Sequence, residues 1–447
     1  MSAVQTRLAA ARELLQRSAS HLRRAALHDG QLDAARLDAV QVPCYDLAWC
    51  AAELAAADAV HAYAARATGD DLSAPLANAF AAEVLQRCVA RWSARPAEFG
   101  LRLDAVLAQA PANDPVLEAA GSSKSLAALG HALVARQGVL PPALLDQEHE
   151  MMRDSFAKFA RETVAPLAQA IHRDDLDIPL ELLTDAAALG LFGVSIPERY
   201  GGLQPDTHPD TIAMLVVTEA LSHASLGAAG SLITRPEIMA RALLEGGTDA
   251  QRSRWLPALA SGERLCAISI TEPDHGSDVA SLTFRGTRVP AGWQLDGAKT
   301  WCTFAGRADV LFVVTRTDPD MTLGHKGLSV LLVEKPPFPG YEFDYRSPLG
   351  GRITGKAIRT LGYRGMHSFE LFFEQFVVPH DALIGEAAGE GRGFYLTMTG
   401  MSGGRLQTAA RANGVMHAAF EQGVQYATSR RVFGKPVADY PLTGAQF

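Results

Sequence analysis

Cysteine is scarce and unpatterned in this chain. Its five copies, Cys44, Cys50, Cys88, Cys266 and Cys302, are odd in number and contain no C-x-x-C pair, which gives neither a disulfide framework nor a zinc ribbon. A reducing compartment, the cytoplasm, is the expectation. Long apolar runs are missing as well: none approaches the ~18 residues of a membrane span, and the N-terminus has no short apolar signal core. Excess positive charge is lacking, since the formal net charge is -8, and phosphate neutralisation needs clustered Lys and Arg, so nucleic acid is not an expected partner. Among thirteen histidines none falls in an H-E-x-x-H or comparable spacing, so no metal site is expected, and His223, His275 and His325 read as structural or surface groups. Acidic residues are nearly absent from "MSAVQTRLAAARELLQRSASHLRRAAL", where only Glu13 is one. That is the composition of a mitochondrial transit peptide. A helix stripe of Leu8, Leu15 and Leu22 with alanines between them is the preferred alternative, because helix follows helix beyond it.

What is present is ordinary globular composition, 48% hydrophobic and 20% charged, in a chain too long for one core, so three or four packed units are expected. Residues 1–145 form an Ala- and Leu-rich helical extension with no visible chemistry, ending in the Gly- and Pro-punctuated "GVLPPALLDQ". Helical spacing resumes over 146–262, with Met152, Phe156, Phe159 and Val164 on one face and Thr248 as an N-cap. From Cys266 the period changes to two, and six strands can be drawn through "CAISIT", "TFRGTRV", "GWQLDGAKTWC", "ADVLFVVTR", "GLSVLLVEK" and "SFELFFEQFVV". A β domain is expected over 263–383. Helix returns over 384–447. The fold class is therefore α+β.

One stretch, "CAISITEPDHGSDVASL" at 266–282, carries chemistry. The strand ends at Glu272-Pro273 because proline has no N–H to donate, and Gly276, Ser277 and Asp278 then form a turn whose free N–H groups could hold an anion such as a pyrophosphate. An ordinary β-turn is the other reading of the same residues. "GGRITGKA" at 350–357 almost fits a phosphate-binding P-loop, but Ala357 replaces the magnesium-binding hydroxyl and β structure surrounds it. ATP binding is not expected.

"ITEPDHGSD", "LDGAKTWCTFAG", "LGYRGMHSFELFFEQFVVP", "GEGRGF", "GGRLQTAARANG" and "ATSRRVFGKPV" together resemble the acyl-CoA dehydrogenase family in order and spacing, from about residue 146 to the end and with "IPERYGG" in the first helical part. The resemblance implies a helical domain, a central β-barrel-like domain and a C-terminal helical bundle that is incomplete here, preceded by an extra helical extension. It implies FAD as cofactor, an acyl-CoA substrate, electron-transfer flavoprotein as acceptor, and a homodimer or homotetramer. Carried over, Ile268, Ile270 and Thr271 would face the flavin, with Gly276 and Ser277 near its pyrophosphate. Trp301, Cys302 and Thr303 would lie beside the ring, Phe304 departing from the Asn or His often found there. Arg430 and Phe433 would reach a partner's FAD, and Arg405 would meet the CoA portion of the substrate.

Desaturation in this family needs a carboxylate base for the α-proton. The resemblance places it far into the last bundle, beyond Phe447, or immediately before the arginine, where this chain has Gly404. No base is therefore named, and the chain is expected to be cut short at its C-terminus. The long helical extension together with "GHKGLSVLLVEKP", "LGYRGMHSFEL" and "GGRLQTAARANG" resembles members of this family that act on a short branched dicarboxylic thioester, which the resemblance implies as the substrate. Its second carboxylate needs a cation or several donors in an apolar cavity, and Ser231, Thr234 and Arg235, in "HASLGAAGSLITRPEI", are the candidates, with helix capping and surface roles as the alternative. Other acyl-CoA dehydrogenase or oxidase specificities, flavin monooxygenases on the same fold, and a catalytically silent remnant or binding module stay open.

Overall fold

The computed structural model describes residues 2–447, which divide into two compact units, one of 2–145 with 419–447 and one of 146–418. In the first unit the chain folds as α1 (Ala3–Ala26), α2 (Ala34–Ala39), α3 (Gln41–Arg66), α4 (Ser73–Ala94), α5 (Leu103–Leu107), α6 (Pro115–Ala120) and α7 (Ser123–Ala135). A capping box closes α1: the Ser2 hydroxyl accepts from Gln5 N at 3.2 Å and Gln5 Oε1 accepts from Ser2 N at 2.9 Å. Its buried stripe runs through Val4, Leu8, Ala11, Leu14, Ser18 and Leu22, with Leu15 only half-buried at its edge. These apolar faces close on Trp92, Phe99, Leu54, Leu85 and Leu117.

The second unit opens with α8 (Gln147–Phe159), α9 (Ala165–Asp174), α10 (Leu180–Ala188), α11 (Thr211–Ser225), α12 (Thr234–Gly246) and α13 (Asp249–Ala260). Thr248 caps α13 with a capping box to Gln251, whose amide group also holds the carbonyls of Asp381 at 2.9 Å and Leu383 at 2.8 Å. The span Thr211–Gly230 is long and apolar enough to cross a membrane by length and composition, a run the sequence reading passed over. Its Ala213, Met214, Val217 and Leu221 are buried in the helical core with Phe156, Leu182 and Ile233, which is what makes the helix apolar.

Eight strands follow: β1 (Cys266–Ser269), β2 (Arg285–Val289), β3 (Gly292–Thr303), β4 (Val310–Arg316), β5 (Leu328–Glu334), β6 (Glu342–Arg346), β7 (Arg352–Ala357) and β8 (Ser368–Val378). They make one sheet in the order β1-β4-β2-β3-β8-β7-β6, with β5 paired to β4. β1 runs parallel to β4, Cys266 opposite Val310, and β3 runs antiparallel to β8. The near-P-loop segment lies in the turn and strand leading through β7, so no helix follows it. One sheet face covers Phe284, Trp293, Leu295 and Phe373; the other packs Val310, Phe312 and Val330 with Leu243, Trp255 and Leu256 of the helices.

α14 (Gly393–Ser429) is one continuous helix. Its Gly403 lies against the Glu237 carboxylate of α12, which accepts from Arg241 Nε at 2.7 Å and from the Gln407 amide. The remaining segment ends in α15 (Pro441–Gly444), packed on α7 within the first unit.

Candidate functional site

Strand β1 and the bend after it are held from beneath by a buried ion pair. Lys299 of β3 donates to Glu272 Oε1 at 3.0 Å and to the Ile270 carbonyl at 2.8 Å. Glu272 also accepts from Phe284 N at 2.8 Å, from Thr283 N at 2.8 Å and from the Thr283 hydroxyl at 2.9 Å. Burial brings the Lys299 ammonium down to about 8 even with Glu272 beside it. The opposite balance holds for Glu272: burial would raise its carboxyl, but Lys299 and the two N–H groups leave it below its ordinary value. A tight turn follows, Glu272 N to the His275 carbonyl at 2.9 Å, and folds Gly276 back toward the Thr271 methyl.

Trp301 owes its position to a bulge. Cys302 pairs with Phe369 and Lys299 with Leu371, so two residues of β3, Thr300 and Trp301, face one of β8. Trp301 takes a positive φ of 58° and turns its ring outward, 56% exposed, between buried neighbours. Cys302 turns inward instead: its thiol sits 3.1 Å from the Ser269 hydroxyl and burial pushes it up to about 11. Thr303 at the strand end bonds the Ser368 hydroxyl at 2.8 Å.

The facing wall comes from the chain between α11 and α12. Ser225 caps a π turn at Leu226–Gly230, and the chain then enters α12 through Ser231, Thr234 and Arg235. Arg235 is 5% exposed. Its guanidinium donates to the Thr303 carbonyl at 3.2 Å and to the Ser231 carbonyl at 2.7 Å, and lies over the Phe304 ring at 5.6 Å. The Ser231 and Tyr363 hydroxyls bond one another, and Nη2 of Arg235 reaches Ser231 Oγ at 3.2 Å. Among the described residues no carboxylate pairs with Arg235. The buried Thr234 hydroxyl has no partner at all.

Between these walls lies a cavity of about 220 Å³ that draws on both. Ile268, Ile270, Thr271, Thr300, Trp301 and Thr303 line one side; Ser231, Thr234, Arg235, Ile238 and Tyr363 line the other, with Met401 and Arg411 from α14. The structure thus brings together eight of the residues singled out in the sequence. It sets others apart. Cys302 presents its side chain to the β core, because it falls inside the strand while Trp301 occupies the bulge. Gly276 and Ser277 are exposed in the turn outside the cavity lining, and Arg405 is exposed on α14 while Arg411 lines the cavity in its place. Gly404 is buried on α14, 3.8 Å from Ile238 as measured to the Cβ position. Arg430 and Phe433 belong to the other compact unit, where both are exposed, Phe433 by 94%. Missed in the sequence were the Glu272–Lys299 pair, Tyr363, Met401 and Arg411. A Glu and a Lys in adjacent β segments were a usable signal for the first.

Residues 146–263 match the acyl-CoA dehydrogenase N-terminal domain, 267–376 the middle domain and 391–447 the C-terminal domain. The chain belongs to the acyl-CoA dehydrogenase family. This family comprises FAD-binding oxidoreductases acting on the CH–CH group of acyl-CoA. The chain is 45% identical over 297 residues to (2S)-methylsuccinyl-CoA dehydrogenase of Cereibacter sphaeroides, a match covering 66% of this chain and 52% of that one. It therefore spans about half the length of that relative. Among solved structures it resembles a glutaryl-coenzyme A dehydrogenase in complex with glutaryl-CoA, at TM-score 0.59 and 28% identity, covering 67% of this chain and 71% of that one. A glutaryl-CoA dehydrogenase from Mycobacterium smegmatis in complex with FADH2 gives TM-score 0.57 and 25% identity, with coverage of 67% and 70%.

The residues present fit a flavin. An outward-facing indole, an adjoining strand end with Thr303, and a turn at Gly276 where an added Cβ would meet nothing nearer than 4.0 Å leave room for a flat ring and a diphosphate.

Proposed function

We propose that this protein is an FAD-dependent dehydrogenase that desaturates a short branched acyl-CoA between its α and β carbons, with (2S)-methylsuccinyl-CoA as substrate, mesaconyl-CoA as product and electron-transfer flavoprotein as electron acceptor. The observation that carries the substrate is the Arg235 guanidinium, buried without a carboxylate partner and beside the unpartnered Thr234 hydroxyl, in the cavity that Trp301 walls. A buried cation satisfied only by carbonyls and hydroxyls keeps most of its charge available to an anion, and a dicarboxylic thioester supplies one. The relative at 45% identity carries a name of that substrate class.

In this reading Trp301, Thr303, Ile268, Ile270 and Thr271 hold the flavin ring, and the N–H groups of Gly276 and Ser277 take the pyrophosphate. FAD supplies the acceptor for the β-hydrogen, which leaves as hydride. Arg235, Ser231 and Thr234 seat the distal carboxylate, fixing which carbons face the flavin, while Ile238 and Met401 exclude water. Arg405 meets the CoA portion. Arg430 and Phe433 reach the FAD of a second copy in a homodimer or homotetramer. No carboxylate is among the cavity's lining residues, so the α-proton passes to a base that is not among them. The five free thiols accord with a cytoplasmic setting, and the ethylmalonyl-CoA route of carbon assimilation is where such a reaction belongs.

The test loads the chain with FAD and follows the flavin spectrum as mesaconyl-CoA, butyryl-CoA and isovaleryl-CoA are added without oxygen. A spectral shift saturating at the lowest concentration for mesaconyl-CoA supports the reading. Equal binding of all three sinks the dicarboxylic assignment, and no flavin binding at all sinks the whole.

A further inference from the structure

The turn 363–368 between β7 and β8 is a strained piece of chain. Tyr363, Gly365 and His367 take φ values of 60°, 108° and 28°, in the left-handed half of conformational space, and each non-glycine residue held there costs roughly 1 kcal/mol or more. Its inner side serves the cavity. Tyr363 lines it, Met366 Sδ meets the Ser231 hydroxyl at 3.0 Å, and Ser368 bonds Thr303. Phe304 N donates to both the Met366 carbonyl at 3.0 Å and the His367 carbonyl at 2.8 Å, so the turn also fixes where β3 ends.

Its outer side is clamped. The His367 side chain is 5% exposed and lies between two carboxylates of the segment after α9, Nδ1 at 2.9 Å from Asp177 and Nε2 at 3.2 Å from Asp175. The other charged and titratable groups facing this cluster are Arg364 of the turn itself, 3.6 Å from Asp175, Arg307 after β3, 3.6 Å from Asp177, and Tyr341 before β6. The Tyr341 ring meets the imidazole edge-on at 4.9 Å, and its hydroxyl donates to the Asp175 carbonyl. Asp177 accepts in addition from Gly340 N at 2.7 Å. Both ring nitrogens face carboxylates, so both are donors, and the ring is the imidazolium.

We propose that His367, as an imidazolium bridging Asp175 and Asp177, is a positioning residue for the reaction: it holds the strained turn that presents Tyr363, Met366 and Ser368 to the acyl and flavin sides of the cavity. The proposal rests on the reading of that cavity as the flavin site. Its pH dependence has a definite sign. Burial would lower the imidazole, but Asp177 and Asp175 outweigh it and raise it above its ordinary value. The clamp is therefore complete below about pH 6.5 and is lost as pH rises through the raised value. Burial likewise opposes ionisation of Asp177, yet His367, Gly340 N–H and Arg307 leave its carboxyl below its ordinary value, so the acid side of the window closes only below that carboxyl's usual range.

His367→Asn tests this, because Asn tolerates a left-handed φ better than most residues and keeps one polar contact without the charge. FAD affinity, read by quenching of flavin fluorescence on the full chain, should fall about tenfold at pH 6 and less than about twofold at pH 9, the loss of one charge-assisted bridge. Asp177→Asn, which leaves the imidazole in place, should show the same fading difference. A loss equal at both pH values, or none, overturns the proposal. Melting temperatures of the flavin-free wild type and variants, taken at the same two pH values, separate this outcome from failure of the functional reading: if the wild type binds no FAD, the clamp still requires the variant's deficit in melting temperature to shrink between pH 6 and pH 9.

Discussion

The two walls of the cavity are built by opposite rules. On the β side the buried charge is fully paired: Lys299 meets a carboxylate and a carbonyl, and Glu272 accepts from four groups. On the helical side Arg235 is nearly as deeply buried yet meets only carbonyls, hydroxyls, a thioether and a ring face, and the Thr234 hydroxyl has no partner. Both arrangements are buried polar clusters, but the β side meets its cation with an opposite charge, whereas the helical side meets its cation with dipoles and a ring face alone. Neither wall offers a carboxylate to the cavity.

That last common feature gives the largest predicted effect. Gly404→Glu places a carboxylate on α14 where an added Cβ would make only ordinary contact with Ile238. With FAD bound and (2S)-methylsuccinyl-CoA added without oxygen, the variant should bleach the flavin at least about 100-fold faster than the parent, the usual contribution of a positioned base. No gain, in a protein that still binds FAD, would show that this helix face does not look onto the α-carbon. Of comparable size is Lys299→Met, which leaves Glu272 buried and without its countercharge and should destabilise the fold by about 3 kcal/mol, measured by chemical denaturation. The double change Lys299→Met with Glu272→Leu should recover most of it. If the single and double variants are equally unstable, the β wall is not held by that pair.

The helical wall should respond in the reverse way. Thr234→Val removes a hydroxyl that has no partner in the protein, so its unfolding free energy should stay within about 0.5 kcal/mol of wild type. Affinity for mesaconyl-CoA should nevertheless drop by about 1 kcal/mol, roughly fivefold, while affinity for butyryl-CoA holds. Loss of stability without loss of affinity would erase the distinction between the walls. The smallest effect is expected from Cys302→Ser: the thiol lies in the β core rather than in the cavity, so mesaconyl-CoA binding should be unchanged within about twofold, with only the modest stability cost of a buried hydroxyl.

Much of this was legible one residue at a time. The switch from helical to alternating periodicity at Cys266 located six of the strands, and the break in "LEGGTDAQ" placed Thr248 as a cap. The hairpin of β6 and β7 was not seen, because "EFDYR" and "RITGKA" are short and alternate charge with apolar residues as surface loops also do. Alternation likewise could not show that Trp301 sits in a bulge, since the extra residue is defined only by the register against β8. His367 had no local signal, because its partners Asp175 and Asp177 are 192 and 190 residues away.

By itself, then, the sequence determined where helix gives way to strand and six of the eight sheet strands, because periodicity, caps and proline act over a few residues. It also determined the family, through motifs whose order is a property of the chain. Only the tertiary structure decided which of two neighbouring residues faces the cavity, which buried charges meet an opposite charge and which do not, and that 419–447 packs with 2–145. Those are questions of pairing across long separations, and no local pattern encodes the partner.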